Sequence, residues 1–165
     1  MEKAKAGSPL TEEEIDVFVF DSIIAQNAYP TPIGFMKFPK SVCLSVNECF
    51  VHGIPSLRTL EEGDKLNIDV SIYSEGYHGD NNLTLFYGTP SHPIKQTIVD
   101  VTKEALYAAI SICGPGVPFR EIGKTIQSIA TKNRLHVCPH FMGHGIGNLL
   151  HMPPPVLHFG IGEVI

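Results

Sequence analysis

Basic residues, long apolar runs and closely spaced cysteines are all scarce or missing in this sequence. Its 12 lysines and arginines are outnumbered by 17 aspartates and glutamates, and the net charge is −5. Nucleic-acid binding needs a basic face, so this balance argues against nucleic acid as the main partner. A membrane helix needs about 20 consecutive apolar residues, and the sequence has no such run. We therefore expect neither a nucleic-acid nor a membrane partner.

Cysteine usage and the N-terminus indicate the compartment. The four cysteines form no C-x-x-C pair; they are Cys43, Cys49, Cys113 and Cys138. An even count permits disulfides, but nothing else in the sequence indicates an oxidising compartment, so we expect buried or pocket thiols. The N-terminal segment MEKAKAGSPLTEEE has no apolar stretch of the kind found in secretory signals. We predict a cytoplasmic protein, with an organellar form that lacks its targeting segment as the alternative.

Apolar periodicity predicts three helices in a chain long enough for one domain with a core. They span about Thr11–Asn27, Ile94–Ile112 and Pro118–Asn133. Thr11 and Glu14 form a capping-box pattern at the start of the first helix. A proline-rich loop over Tyr29–Lys40 is followed by a run of short strands that reaches Tyr87.

The first and third helices begin with a similar pattern. Gly7-Ser8-x-Leu10-x-x-x-Glu14-Ile15 matches Gly114-Pro115-x-Val117-x-x-x-Glu121-Ile122. One interpretation is coincidence between two helix starts. The other is a pseudo-duplicated α+β domain, in which each half supplies helices to one side of a sheet.

A predicted hairpin brings two aspartates together. Residues Lys65–Tyr73 alternate between polar and apolar, Glu75-Gly76 is a turn candidate, and a second strand is predicted over Tyr77–Tyr87. A two-residue turn sets Asp80 opposite Ser71, so that Asp69 and Asp80 are diagonal neighbours roughly 7–8 Å apart on one face.

Two carboxylates this close are explained in one of two ways. Both are solvated surface residues, or they share divalent cations. No lysine or arginine lies between Lys65 and Lys95 to neutralise them locally. At about 4 Å the two charges would repel by roughly 4 kcal/mol at an effective dielectric of 20, and a cation removes this cost. Hard oxygen ligands and metals about 3.5–4 Å apart would suit hydrolysis.

Three of the histidines are candidate functional residues. His144 lies in the glycine-rich segment Gly143–Gly147, where we expect a loop that allows close approach of a ligand. His52 and His151 each precede a short segment with proline. Alone, each is more often structural than functional. The others are left unassigned, with a structural role favoured: His78, His92, His136, His140 and His158.

Short motifs follow one another along the chain. They are Phe38-Pro-Lys-Ser-Val-Cys43, Ser45-Val-Asn-Glu48, His52-Gly-Ile-Pro55, Glu62-Gly-Asp64, Asn67-Ile-Asp69-Val70, Gly76-Tyr-His-Gly-Asp80 and Gly143-His-Gly-Ile-Gly147. In this order and spacing the chain resembles type I methionine aminopeptidases over about residues 10–158. The resemblance implies the α+β pita-bread fold of creatinases and aminopeptidases, with pseudo-duplicated halves. It also implies a partial catalytic domain over residues 10–165, and the sequence before it, residues 1–9, is predicted to be a flexible N-terminus.

The resemblance further implies a peptidase that removes the initiator methionine from peptides and nascent proteins with a small second residue. Asp69, Asp80 and His144 would bind two divalent metal ions, which could be Co, Mn, Fe or Zn. His52 would be catalytic near the substrate N-terminus, and His151 would stabilise the tetrahedral intermediate. The residues implied to contact substrate are Phe35, Phe38, Cys43, His52, Leu150 and His151.

Two glutamate ligands of the family have no counterpart in this sequence. Glu163 stands in Gly-Glu-Val rather than Ile-Glu-Pro and is not accepted as a substitute. We therefore expect a domain incomplete at its C-terminal end, with doubtful activity by itself and with self-association through unpaired sheet edges. The alternative is a catalytically impaired pita-bread module that binds peptide or protein. A prolidase-like peptidase is disfavoured by the first two motifs.

Overall fold

The computed structural model describes residues 10–160, which divide into two compact units. The first runs up to His92 and includes Ile146–Leu150; the second contains Pro93–Gly145 and the residues from His151 onward. The predicted flexible N-terminus and Glu163 lie outside the described residues. Helices and strands are mixed in each unit, as expected for an α+β protein.

The first helix, α1, spans Glu12–Ile24. Thr11 is its N-cap: the Thr11 hydroxyl accepts the Glu14 backbone N–H at 3.2 Å, and the Thr11 N–H donates to the Glu14 carboxylate at 3.1 Å. Both halves of the predicted capping box are therefore present. The helix ends at Ile24 rather than Asn27 because Asn27 adopts a left-handed conformation with φ of 57°.

Four strands form the sheet of the first unit. They are β1 (Tyr29–Pro30), β2 (Cys43–Val46), β3 (Asp64–Ser74) and β4 (Tyr77–Tyr87). All pairs are antiparallel: β1 and β2 pair with β3, and β4 pairs with β3 along its whole length. The two predicted hairpin strands are confirmed: β4 has the predicted bounds, and β3 extends the predicted Lys65–Tyr73 by one residue at each end. Both have 11 residues, so these two strands are long rather than short.

The turn between β3 and β4 fixes the hairpin register. Ser74 pairs with Tyr77, which leaves only Glu75 and Gly76 in the turn. Both have positive φ, 51° and 92°, the combination of a type I′ turn whose twist matches the adjoining strands. The predicted two-residue turn is confirmed.

The apolar face of this hairpin packs against α1. The buried cluster consists of Ile15, Val42, Leu44, Val46, Leu60 and Leu66, with Ile68 and Val70 of β3 packed against it. Because strand side chains alternate, Asp69 and Ser71 project from the opposite face. Burial of one face therefore fixes which side of the sheet carries the aspartates.

A buried hydrogen-bond pair anchors the chain just before β2. The carboxylate of Asp16, on α1, accepts the Ser41 backbone N–H at 2.8 Å and the Ser41 hydroxyl at 2.6 Å. Ser41 is 1% exposed and Asp16 is 7% exposed. This contact holds the entry to β2, whose first residue is Cys43.

The second unit contains α2 (Pro93–Ser111), α3 (Arg120–Lys132), β5 (Gly143–Gly145) and β6 (Met152–Val156). The helices agree with the predicted ones to within two residues at each end. They pack against each other, and α3 also contacts β6. A Cβ atom at Gly123 of α3 would lie 2.4 Å from the Phe159 carbonyl oxygen, so only glycine allows this approach.

None of the helices within residues 10–160 combines the length and the apolar character needed to cross a membrane.

Candidate active site

The aspartates of the hairpin lie on one face in the predicted register. Asp80 is directly opposite Ser71, and Asp69 is opposite Asn82. Asp69 and Asp80 are therefore diagonal neighbours, as expected from the two-residue turn. The Ser71 hydroxyl donates a hydrogen bond to Asp80 Oδ1 at 2.8 Å.

Burial and charge act on the Asp69 carboxyl group. They raise its pKa to about 6, through burial first and then through the neighbouring charge of Asp80. A hydrogen bond between the two carboxyl groups raises it further, whereas the nearby His52 lowers it. The two carboxyl groups and His52 thus form one electrostatically connected site.

Cys43 is a neutral thiol beside these carboxylates. It begins β2, pairs with Asp69 across the strands, and is buried. Burial raises the pKa of Cys43 to about 12, and the charges of Asp69 and Asp80 raise it in the same direction. A thiol with so high a pKa is a poor nucleophile at neutral pH, so its contribution here is apolar contact.

His52 is presented by a tight loop after β2. Its φ is 57°, in the left-handed region. Two hydrogen bonds join the loop to β2. The Leu44 N–H donates to the Gly53 carbonyl at 2.9 Å, and the Gly53 N–H donates to the Ser45 hydroxyl at 3.2 Å. A Cβ atom at Gly53 would lie 2.0 Å from the Leu44 carbonyl oxygen, so glycine is required beside His52.

The donor chemistry of this site fits a divalent cation. Asp69 and Asp80 offer hard carboxylate oxygens on one face, and a bound cation would offset the repulsion that raises the pKa of Asp69. Within residues 10–160, no group of three His, Cys, Asp or Glu side chains is arranged to hold a metal ion. The three-residue ligand set of Asp69, Asp80 and His144 therefore stays a prediction.

His144 and His151 meet in the second unit. Their rings contact edge to face, with centroids 4.3 Å apart. His144 Nδ1 lies 2.9 Å from the Gly145 carbonyl oxygen. Because a carbonyl only accepts, Nδ1 carries the proton, and the lone pair of the neutral ring lies on Nε2. This tautomer suits a metal ligand.

The expected glycine-rich loop around His144 is in part a strand. His144 lies in β5 and pairs with Pro155 of β6, with an irregularity between His144 and Gly145. The sequence of β6, MPPPV, has three prolines, which lack a backbone N–H donor. Nothing in this sequence therefore predicts a strand. The interpretation as a loop is corrected accordingly.

A cavity of about 520 Å³ opens in the first unit. Its lining residues are Tyr29, Thr31, Phe35, Tyr73, His78, Asn148, Leu149 and Leu150. Two of these, Phe35 and Leu150, were expected to contact substrate. The other expected residues of this unit, Phe38, Cys43 and His52, are not among the lining residues. Phe38 follows Phe35 in a tight turn, in which the Phe38 N–H donates to the Phe35 carbonyl at 2.9 Å.

A structural role was favoured for His78, but it lines this cavity. Its Nδ1 lies 3.0 Å from the Thr31 hydroxyl, and its ring is 4.8 Å from that of Tyr73. His78 pairs with Tyr73 across the hairpin and precedes Asp80 by two residues, so it projects from the same face as the aspartates. That two-residue spacing from Asp80 was the sequence signal that could have identified it.

Comparison with known proteins gives consistent results. The profile of metallopeptidase family M24 matches residues 1–163. The chain is 53% identical over 154 residues to methionine aminopeptidase 1D, chloroplastic/mitochondrial, of Arabidopsis thaliana, covering 93% of this chain and 44% of that protein. It is 48% identical over 149 residues to the mitochondrial methionine aminopeptidase 1D of Homo sapiens, covering 90% and 44%.

A solved structure extends the similarity to the fold. The methionine aminopeptidase from Rickettsia prowazekii superposes with a TM-score of 0.90 at 32% identity, covering 98% of this chain and 65% of that one. The resemblance to methionine aminopeptidases and the expected pita-bread fold are thereby confirmed. The chain spans less than half the length of the curated relatives named above.

Proposed function

Because the chain belongs to metallopeptidase family M24, we propose that it acts in removing N-terminal methionine from proteins and peptides with a small second residue. The observation that carries the proposal is the pair of carboxylates, Asp69 and Asp80, on one face of the β3–β4 hairpin beside His52. Two relatives that are 53% and 48% identical to this chain over the aligned 154 and 149 residues are named methionine aminopeptidases.

Metal binding is assigned to three residues. Asp69 and Asp80 are the proposed ligands of the first unit, and His144 is the proposed ligand of the second. The carboxylate repulsion and the Nδ1–H tautomer of His144 support this assignment. When bound, divalent metal ions supply Lewis-acid polarisation of the scissile carbonyl group. We propose that the bound ions are divalent Co, Mn, Fe or Zn.

Two histidines are assigned to the substrate. His52 would lie near the substrate N-terminus and the leaving amide, and its electrostatic contact with Asp69 supports a role beside the carboxylates. His151 would donate a hydrogen bond to the oxyanion of the tetrahedral intermediate, a contribution worth about 3–4 kcal/mol in well-studied enzymes. Its edge-to-face contact with the His144 ring supports a position near a metal ligand.

The methionine side chain is assigned to an apolar surface beside the carboxylates. The proposed contacts are Phe35, Phe38, Cys43 and Leu150, together with the two histidines. The cavity that Phe35 and Leu150 share supports this, since its walls are largely aromatic and aliphatic. Cys43, neutral and buried, adds apolar surface next to Asp69.

The compartment and the self-association are further parts of the proposal. A cytoplasmic location is the prediction made above, whereas the names of the relatives reported above specify chloroplasts and mitochondria. Import of the protein into isolated chloroplasts and mitochondria distinguishes a cytoplasmic from an organellar location. Within the described part of the chain the only strand that pairs with β4 is β3, and the His78 N–H on the other edge of β4 donates to the Gly147 carbonyl at 2.7 Å. The rest of that edge supports self-association. Sedimentation of the purified protein tests this.

The test of the function is methionine release from the peptide Met-Ala-Ser by the purified protein with added Mn²⁺ or Co²⁺. Metal-dependent release that is lost in Asp80→Ala supports the proposal. Controls are Met-Leu-Ser, whose second residue is large, and the exposed-site variant Asp21→Ala. Peptide binding without turnover, unchanged by Asp80→Ala, would instead identify a pita-bread binding module.

A further inference from the structure

Ser71 donates its only hydroxyl proton to a carboxylate that already faces solvent. The distance from Ser71 Oγ to Asp80 Oδ1 is 2.8 Å. Ser71 is 9% exposed, whereas Asp80 is exposed to solvent. Water can hydrate an exposed carboxylate, so this hydrogen bond is not needed to offset burial of Asp80. What the bond fixes is the direction in which the carboxylate points.

The backbone around Ser71 is held by its neighbours. The Thr31 N–H donates to the Ser71 carbonyl at 3.0 Å, which ties β3 to the residue after β1. The Thr31 hydroxyl in turn pairs with His78 Nδ1 at 3.0 Å, two residues before Asp80 on β4. Thr31 is 8% exposed. These contacts hold β3, which carries Ser71, and β4, which carries Asp80, beside the Ser71–Asp80 hydrogen bond.

We propose that Ser71 is a positioning residue for Asp80, an inference that rests on the proposed function. Its hydroxyl binds one carboxylate oxygen and restricts rotation about the Cβ–Cγ bond, so that the other oxygen keeps one orientation toward a cation. Groups that orient a metal ligand in this way commonly change metal affinity or activity by about 10–100-fold when removed. No atom of Ser71 needs to contact the metal.

The chain contains a matched control for this serine. Ser41 is also buried and also donates its hydroxyl to an aspartate, Asp16, at 2.6 Å. Asp16 belongs to α1, and its carboxylate accepts from Ser41 rather than from a residue of the hairpin. Ser41→Ala therefore removes the same kind of hydrogen bond without touching Asp80.

The experiment titrates the metal alone, Co²⁺, into the purified protein and follows its visible absorption, with urea unfolding in parallel. We expect Ser71→Ala to weaken Co²⁺ binding by at least tenfold and Ser71→Thr, which keeps the hydroxyl, to stay within threefold of the original protein. Ser41→Ala is expected to lower stability and leave Co²⁺ binding unchanged.

The outcomes separate this inference from the proposed function. If the unsubstituted protein binds Co²⁺ and Ser71→Ala binds it equally well, the positioning role is wrong while the metal site stands. An equal loss of affinity in Ser41→Ala would trace the effect to stability and also overturn the role, as would a folded Ser71→Thr variant that behaves like Ser71→Ala. If the unsubstituted protein binds no Co²⁺, the proposed metal site itself is refuted.

Discussion

Asp80 lies diagonally across the hairpin from Asp69, and its negative charge is one of the causes that raise the pKa of Asp69 to about 6. The folded state therefore keeps together two carboxylates that repel each other at neutral pH. A binding site can retain such a pair because a cation offsets the repulsion when it binds. The cost is present in the metal-free protein and is measurable there.

Asp69→Asn is expected to stabilise the metal-free protein. In EDTA at pH 7.5 the amide removes the like-charge repulsion and the burial cost of a charge, so the free energy of unfolding should rise by on the order of 1 kcal/mol. Urea unfolding measures this, with the exposed-site variant Asp21→Asn as the control.

In saturating Co²⁺ the order of stability of Asp69→Asn and the original protein should reverse, because a ligand that binds only the folded state stabilises it by mass action. The original protein should then be the more stable one. An Asp69→Asn variant that is less stable than the original in EDTA would show that the carboxylate is a structural group.

Asp16→Ala is expected to destabilise the first unit strongly. It removes a buried acceptor and leaves the Ser41 N–H without its partner, while the Ser41 hydroxyl keeps only the Asp16 backbone carbonyl at 3.1 Å. We expect a loss of about 2–4 kcal/mol in urea unfolding. Asp21→Ala on the same helix should stay within about 0.5 kcal/mol. Similar losses in the two variants would contradict the importance of the Asp16–Ser41 contact.

The hairpin and α1 were predictable because local chemistry determines them. A polar-apolar alternation over Lys65–Tyr73 fixes two faces, and the Glu75-Gly76 turn allows only one register. Thr11 and Glu14 similarly mark the start of α1 through contacts three residues apart. Each prediction needed only neighbouring residues, so the position of Asp69 relative to Asp80 followed from sequence.

The β5–β6 pair and the cavity were not predictable in this way. β6 contains three prolines, and it becomes a strand only because β5 lies beside it. The cavity is lined by three segments that are far apart in the sequence: residues near position 30, the hairpin, and residues 148–150. His78 was assigned no role because its contact with Thr31 spans 47 positions.

Gly123→Ala is expected to disrupt the second unit. The new methyl group would lie 2.4 Å from the Phe159 carbonyl oxygen, so α3 or the segment after β6 must shift. We expect a loss of at least 1–3 kcal/mol, the usual range for overpacking. Gly114→Ala is the matched control: its methyl group meets no atom within 4 Å, so it should be neutral or slightly stabilising. Thermal unfolding of both variants measures the difference.

His158 should make the stability of the protein sensitive to acid. Burial lowers the pKa of His158 below its usual 6.5, so below that pH the unfolded chain binds more protons than the folded one. Its contribution to stability is complete above pH 6.5 and is lost as the pH falls toward the folded-state pKa. His158→Gln should lose less stability than the original protein between pH 7 and pH 5. Parallel urea curves at both pH values would contradict this.

Phe35 is expected to contribute to methionine recognition, since it lines the cavity together with Leu150. In the proposed reaction, Phe35→Ala removes apolar surface from the methionine side chain, and we expect KM for Met-Ala-Ser to rise about tenfold, equivalent to about 1.4 kcal/mol. The kcat value should change little, because the lost contact is the same in the ground state and the transition state. Met36→Ala is the matched control: Met36 is the next residue, is 88% exposed and does not line the cavity. An equal rise in KM for both variants would trace the effect to the turn that carries them, and an unchanged KM in Phe35→Ala would separate the cavity from the substrate.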